Sequence, residues 1–263
     1  MKIGVTQIIL GGMSLDDTLS LCQDAGYDAV ELTFGEGQDT DINMNDDELK
    51  GIASKCAEAG VEISSITAGY KDRGSLLSLD AETRKSGVRS LARGLEVAGA
   101  LGVGGILLHP GQLSVEGTYQ EVWDNLVGHL KDLAPSAESH KVAIGLENVW
   151  NKFLLSPKEM RDIVDEVGSD WVGTYLDTAN MMAYGYPEHW IRELGSRIKR
   201  VHFKDFSRGS HQFTNLLDGD TDWVAVMEAF RTVGYDGYVI HEVGGDRDAQ
   251  IDLADRMRKI VAM

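Results

Sequence analysis

Short apolar, β-branched runs recur along the chain, each followed by a longer stretch with helical spacing. Eight such runs occur, at 3–7, 29–33, 62–67, 105–109, 143–148, 173–177, 200–205 and 238–243. Helix punctuation separates them. Ser14, Asp16 and Asp17 open the first intervening stretch and Gly26 closes it; Gly60, Gly102, Gly168 and Gly234 end later stretches in the same way, as glycine does beyond a helix C-terminus. Eightfold alternation without a proline- or glycine-rich linker predicts an α/β fold: a single (β/α)8 TIM barrel over 1–263, rather than a doubly wound sheet. The stretch 68–84 interrupts the rhythm and is expected to be a loop after the third strand. Short-period repeats and low-complexity segments are absent from the sequence.

Composition narrows the function classes. With 263 residues and 43% hydrophobic content, the chain can bury a large core. Its longest apolar stretches, such as Val103 to Leu108, fall far short of the roughly 20 residues of a membrane span, so no membrane association is expected. The start, with Lys2 ahead of a strand-like run containing Gln7, does not read as a signal peptide, which points to a cytoplasmic location. Cys22 and Cys56 lack metal-type spacing and read as buried free thiols. A net charge of -17 opposes a polyanionic partner, which argues against nucleic acid and otherwise describes a solvated acidic surface.

In a barrel of this type the chemistry stands at the carboxyl ends of the strands. Those ends supply Gln7, Glu31 to Thr33, Thr67, His109, Glu147 with Asn148, Asp177, His202 with Lys204 and Asp205, and Glu242. Carboxylates inside apolar runs are costly to bury unless a cation meets them, which singles out Glu147, Asp177 and Glu242. With the imidazole of His202 they form a donor set suited to one divalent metal ion, Mn2+ foremost, or Co2+, Mg2+ or Zn2+. Salt bridges to Lys or Arg and a satisfied core histidine are the competing structural readings. Strand alternation puts His241 and Glu242 on opposite faces, so only one can be a ligand; Glu242 is the choice, with His241 behind the strand. His109, ahead of Pro110 and Gly111, is a candidate contact for a substrate hydroxyl.

Five segments carry a resemblance to the sugar isomerase/epimerase superfamily of xylose-isomerase-like barrels. They are Gly145-Leu146-Glu147-Asn148, Leu176-Asp177-Thr178-Ala179-Asn180, Val201-His202-Phe203-Lys204-Asp205, Gly219-Asp220-Thr221-Asp222-Trp223, and Gly234 through Glu242. Within that group the pattern is similar to the ketose 3-epimerases, including pentulose-phosphate and keto-gluconate epimerases. The resemblance implies that Glu147, Asp177, His202 and Glu242 hold the metal and that Glu147 and Glu242 are catalytic, moving protons. It also implies substrate contacts from Arg208 and Asn180, the latter standing where free-sugar epimerases commonly carry histidine; Lys204 is a further candidate contact. A homo-oligomer, dimer or tetramer, is implied as well.

The expected activity is epimerisation of a keto sugar, an isomerase reaction in which the proton next to the carbonyl leaves and returns through a metal-stabilised enediolate. Glu147 and Glu242 are expected on strands facing each other across the mouth. Trp150, Phe153, Trp190 and Phe203 are candidate dry walls, with plain core as the alternative. An aldose–ketose isomerase and a keto-inositol dehydratase use the same machinery. An abasic-site endonuclease resembles a three-zinc design needing more histidines at strand ends than this chain supplies, and a non-catalytic sugar-binding protein is the remaining alternative. The expected partner is a small carbohydrate; its phosphorylation is left open by the sequence.

Overall fold

The computed structural model describes residues 1–68 and 75–263. In chain order the elements are β1 (Lys2–Thr6), α1 (Leu15–Ala25), β2 (Ala29–Thr33), α2 (Asp46–Glu58), β3 (Glu62–Ala68), α3 (Ala81–Ala100), β4 (Gly105–Leu108) and α4 (Tyr119–His140). There follow β5 (Ala143–Glu147), α5 (Pro157–Val167), β6 (Val172–Asp177), α6 (Pro187–Leu194), β7 (Ile198–Phe203), β8 (Asp205–Ser207), β9 (Gln212–Thr214), α7 (Trp223–Val233), β10 (Tyr238–His241) and α8 (Arg247–Val261). Strands β1 to β7 and β10 close into a parallel barrel in the order β1-β10-β7-β6-β5-β4-β3-β2. All eight predicted strand runs are barrel strands.

The helix ends form for local reasons. Ser14 accepts a hydrogen bond from the Asp17 N–H at the start of α1, and Asn45, Thr118 and Ser156 form reciprocal capping boxes with Glu48, Glu121 and Glu159. At the far end of α1, Gly26 takes φ +70, a left-handed conformation that a side chain would oppose, and turns the chain into β2. Outward strand residues such as Val30, Leu32, Ile106, Ile144 and Val201 join helix residues such as Leu91, Leu126, Ile163, Phe230 and Leu253 in one buried apolar cluster. That layer between strands and helices is the core. Cys22 and Cys56 are buried free thiols within it, as expected.

Two boundaries differ from the sequence reading. The expected loop at 68–84 falls partly on 69–74, outside the described residues; from Ala81 onward the chain is already α3, started by the Asp80 side chain accepting from the Thr83 N–H. The seventh barrel strand stops at Phe203 rather than Asp205, which instead begins the antiparallel β8–β9 hairpin. The Asp205 carboxylate gathers the loop after that hairpin. It accepts from the N–H groups of Leu217, Gly219 and Thr221, the Thr221 hydroxyl and the Trp223 indole. Gly219 is needed there, because a Cβ would lie 2.2 Å from Asp205 Oδ1. Asp205 is therefore a loop anchor.

Candidate metal centre

Four consecutive barrel positions converge at the carboxyl end. Glu147 is the last residue of β5, Asp177 the last of β6, His202 the penultimate residue of β7, and Glu242 directly follows β10. One ligand atom from each lies within 4.8 Å of the others. Register explains the convergence: Asp177 pairs with His202 and Ile240 with His202, so side chains of like parity point inward at nearly one level. Strands β5 and β10 have β6 and β7 between them. The two glutamates thus flank the imidazole from either side, on strands three places apart around the eight-stranded barrel and one place short of directly opposite.

Hydrogen bonding fixes one atom of each anchor and turns the other towards the centre. Asp177 Oδ1 accepts from the N–H groups of Ala179 (2.8 Å) and Asn180 (2.7 Å), while the Asn148 amide bonds both the N–H and the C=O of Asp177. His202 Nε2 meets Glu31 Oε1 at 3.0 Å. Among the described residues Asp177 Oδ2 and His202 Nδ1 are buried without a hydrogen bond of normal geometry; Oδ2 is instead ion-paired with Lys204 Nζ at 3.2 Å, and Nδ1 stands 3.6 Å from Glu147 Oε1 and 3.5 Å from Glu242 Oε2. Three carboxylates converging on one imidazole nitrogen fit a cation, and the Lys204 ammonium meets two of them from one side. Three carboxylates and one imidazole suit a divalent ion of the Mn2+, Co2+ or Zn2+ type.

Electrostatics separate the two glutamates. Burial pushes the Glu147 carboxyl up, to about 7, against the pull of His202. Burial acts on Glu242 in the same sense, but the Lys204 ammonium and His202 prevail and hold it well below the usual range. Lys204 Nζ is 2.8 Å from Glu242 Oε2 and 3.2 Å from Asp177 Oδ2, and these carboxylates keep it charged despite its burial. His202 is likewise raised: burial opposes its charge, and Glu31 with Glu147 and Glu242 outweighs that effect.

Sequence reasoning named Glu31 at a strand end but gave it no part in the centre. Glu31, fully buried inside the barrel, accepts from the Tyr175 hydroxyl (2.6 Å) and Ser65 hydroxyl (2.7 Å) with one oxygen and meets His202 with the other. Its signal was present as a carboxylate inside the apolar run Ala29-Val30-Glu31-Leu32, the same criterion that selected Glu147. A carboxylate behind a ligand histidine fixes the ring and its tautomer. His241 faces the other way, as alternation required, with Nε2 at 2.7 Å from the Tyr27 hydroxyl.

A pocket of about 250 Å³ sits over the centre, lined by Glu147, His202 and Glu242 with His109, Asn180 and Lys204. Three of the four expected substrate contacts are thereby brought to it. His109 Nδ1 accepts from the Gly111 N–H, and the Asn180 amide donates to Asn148 O. Arg208 is elsewhere: it donates to Gly185 O at 2.7 Å and lies 4.6 Å from the Tyr186 ring, outside the pocket lining. Of the candidate walls, Trp150 lines the pocket at 41% exposure, beside Phe213 of β9. Phe153, Trp190 and Phe203 are buried core.

Comparison with known proteins places this geometry. The model of the family described as xylose isomerase-like TIM barrel matches residues 19–261. The chain is 27% identical to the L-ribulose 3-epimerase of Mesorhizobium japonicum over 89% of its own length and 78% of that protein's. In fold it is similar to a D-tagatose 3-epimerase-like protein, with a TM-score of 0.85 and 22% identity over 100% of this chain and 97% of that one. It is also similar to an IOLI protein described with a bound zinc atom, with a TM-score of 0.83 and 20% identity over 100% and 98% of the two chains. The chain belongs to the xylose isomerase-like TIM barrel family.

Proposed function

We propose that the protein, as one barrel domain, is a metal-dependent epimerase of a keto sugar, acting at the carbon next to the carbonyl. The observation that carries this reading is the convergence of Glu147, Asp177, His202 and Glu242, each with a ligand atom within 4.8 Å of the others, beneath a pocket of about 250 Å³. Kinship with a protein named L-ribulose 3-epimerase supports the reaction class.

Asp177 and His202 would anchor the ion and Glu147 and Glu242 would complete its shell. When bound, the ion would polarise the sugar carbonyl and stabilise the negative charge that develops on its oxygen. The chain's own residues supply the rest. Epimerisation needs a proton removed from one side of a carbon and returned to the other, hence two groups on different sides of the substrate. Glu147 and Glu242 approach the pocket from either side of His202. Their environments push their proton affinities apart, Glu147 up and Glu242 down, which is the division that an acid and a base require. Glu242 is the carboxylate that accepts the C–H proton and Glu147 the one that returns it, with the roles exchanged in the reverse direction. His109, Asn180 and Lys204 are placed to orient sugar hydroxyls.

The test is deuterium incorporation from D2O beside the carbonyl of a ketose panel, on protein reconstituted with Mn2+, Co2+, Mg2+ or Zn2+, with products identified by NMR. Metal-dependent incorporation together with a C3 epimer is the expected result. Retention of exchange and turnover by both Glu147→Gln and Glu242→Gln overturns the two-carboxylate proposal; an aldose or a dehydrated product assigns a different reaction to the same centre.

A further inference from the structure

The pocket over the metal centre, at about 250 Å³, is smaller than the roughly 300–1,000 Å³ that usually encloses a whole small-molecule ligand. It is not closed on itself. Ile8 and Thr67 line both this pocket and a second cleft of about 720 Å³ between the ends of β1 and β2, so the two spaces adjoin across those side chains. Together they reach the upper end of the range for one ligand. A substrate seated at the metal centre would extend past Ile8 and Thr67 to reach the larger space.

The chemistry of the cleft states what would lie there. Gln7, Ser14, Thr33, Glu36, Gln38 and Asp39 offer amide, hydroxyl and carboxylate groups, while Met13 and Ile42 supply apolar patches. Part of this surface is already fixed. The Gln7 amide donates to Asp39 at 2.7 Å and accepts from the Thr33 N–H at 3.1 Å, and the Thr40 hydroxyl holds Thr33 O at 2.6 Å. Carboxylates accept from sugar hydroxyls strongly, and two of them oppose an incoming phosphate or acid group. Mixed polar and apolar lining matches the hydroxyl edges and C–H faces of a pyranose ring.

Resting on the epimerase reading above, we propose that the substrate is a glycosidically extended keto sugar: the ketose unit sits over the metal centre and a second, uncharged sugar ring occupies the cleft lined by Gln38 and Asp39. Binding energy from the remote ring is available to hold the reacting carbon between Glu147 and Glu242.

The test compares, on metal-loaded protein in D2O, a free hexulose, the same hexulose with a glucosyl group on its terminal hydroxyl, and its terminal phosphate. The kcat/KM for exchange is expected to be higher for the glucosyl form than for the free sugar by about tenfold or more, and Gln38→Ala, at an exposed position, should shrink that ratio severalfold. A free hexulose or hexulose phosphate that matches or exceeds the glucosyl form overturns the extended subsite and leaves the reaction standing. Saturation-transfer NMR with the corresponding unreactive disaccharide alditol separates the two ideas. Contacts to the glucosyl ring that weaken in Gln38→Ala support the subsite even when no sugar exchanges, a result that sinks the reaction instead; absence of such contacts overturns the subsite.

Discussion

His202 and His241 stand on neighbouring strands, β7 and β10, offset by one residue in register, and both are fully buried. Their surroundings are opposite. His202 points into the barrel among Glu31, Glu147 and Glu242 and is raised well above the ordinary histidine value. His241 points to the helix layer, where it meets Tyr27, whose hydroxyl donates to Gln250 O, and where its Nδ1 accepts from the Val243 N–H. It is pushed down to about 3, chiefly by burial and further by His202. Burial opposes the charge of both rings; the carboxylates decide the difference. One barrel wall thus carries an imidazole ringed by carboxylates on its inner face and a neutral structural imidazole on its outer face.

The largest expected effect breaks the inner half of this contrast. His202→Ala removes one of four donors and leaves Glu31 buried without its charged partner, so calorimetric metal binding and deuterium exchange should fall by about a thousandfold or more. His241→Gln should leave metal affinity nearly unchanged. Comparable losses from the two substitutions would show that the opposite-face assignment is wrong.

The outer half should appear in stability against pH. The neutral folded His241 titrates at about 3, whereas an unfolded histidine does so near 6.5. Between those values the unfolded chain binds the proton and the folded chain does not. Its contribution is present above about 6.5 and is lost as pH falls towards 3, at up to roughly 1.4 kcal/mol per pH unit. Urea titrations from pH 6 to pH 4 should find the native protein losing stability more steeply than His241→Gln, by about 1 kcal/mol per unit. Equal slopes would show that His241 does not stay neutral in the fold.

The contrast itself was legible in the chain, because strand alternation alone separates His241 from Glu242. Strands were legible as short apolar runs, most of them entered from a helix that ends at a glycine. Four ligand candidates could be read from carboxylates inside such runs. What escaped was set by tertiary geometry. Tyr175 reads as an ordinary apolar strand position, and only barrel closure brings it 2.6 Å from Glu31, a residue 144 positions away. Arg208 is a loop cation whose direction depends on Gly185 and Tyr186, so spacing from His202 did not determine where it points. Asp205 looked like a strand-end acid because nothing local reveals the loop at 217–223 folding back onto its carboxylate.

Glu31 sharpens the comparison further, since it distinguishes the inner histidine from the outer one without touching the ion. In Glu31→Gln an amide replaces the carboxylate against His202 Nε2, keeping the volume and removing the charge. Metal affinity should fall about 10- to 100-fold with thermal stability of the fold retained, as for other partners of ligand histidines. An unchanged affinity would confine Glu31 to a packing role.

The smallest effect concerns the proton that the metal must displace. The carboxylates raise His202 and so favour its protonated form in the metal-free protein, and metal uptake at Nδ1 would expel that proton. Affinity should therefore decline as pH falls, by up to about tenfold per unit for one displaced proton. Titrations in two buffers of different ionisation enthalpy count the protons released. About one fewer should be released by His202→Ala where it still binds at high metal concentration, and a smaller fraction by Glu31→Gln, because losing that carboxylate lets burial pull His202 down. His241→Gln should release as many as the native protein, since its ring has no proton to yield to the ion; a change in that variant would mean that the two faces of the wall are coupled through the strand pair rather than insulated by it.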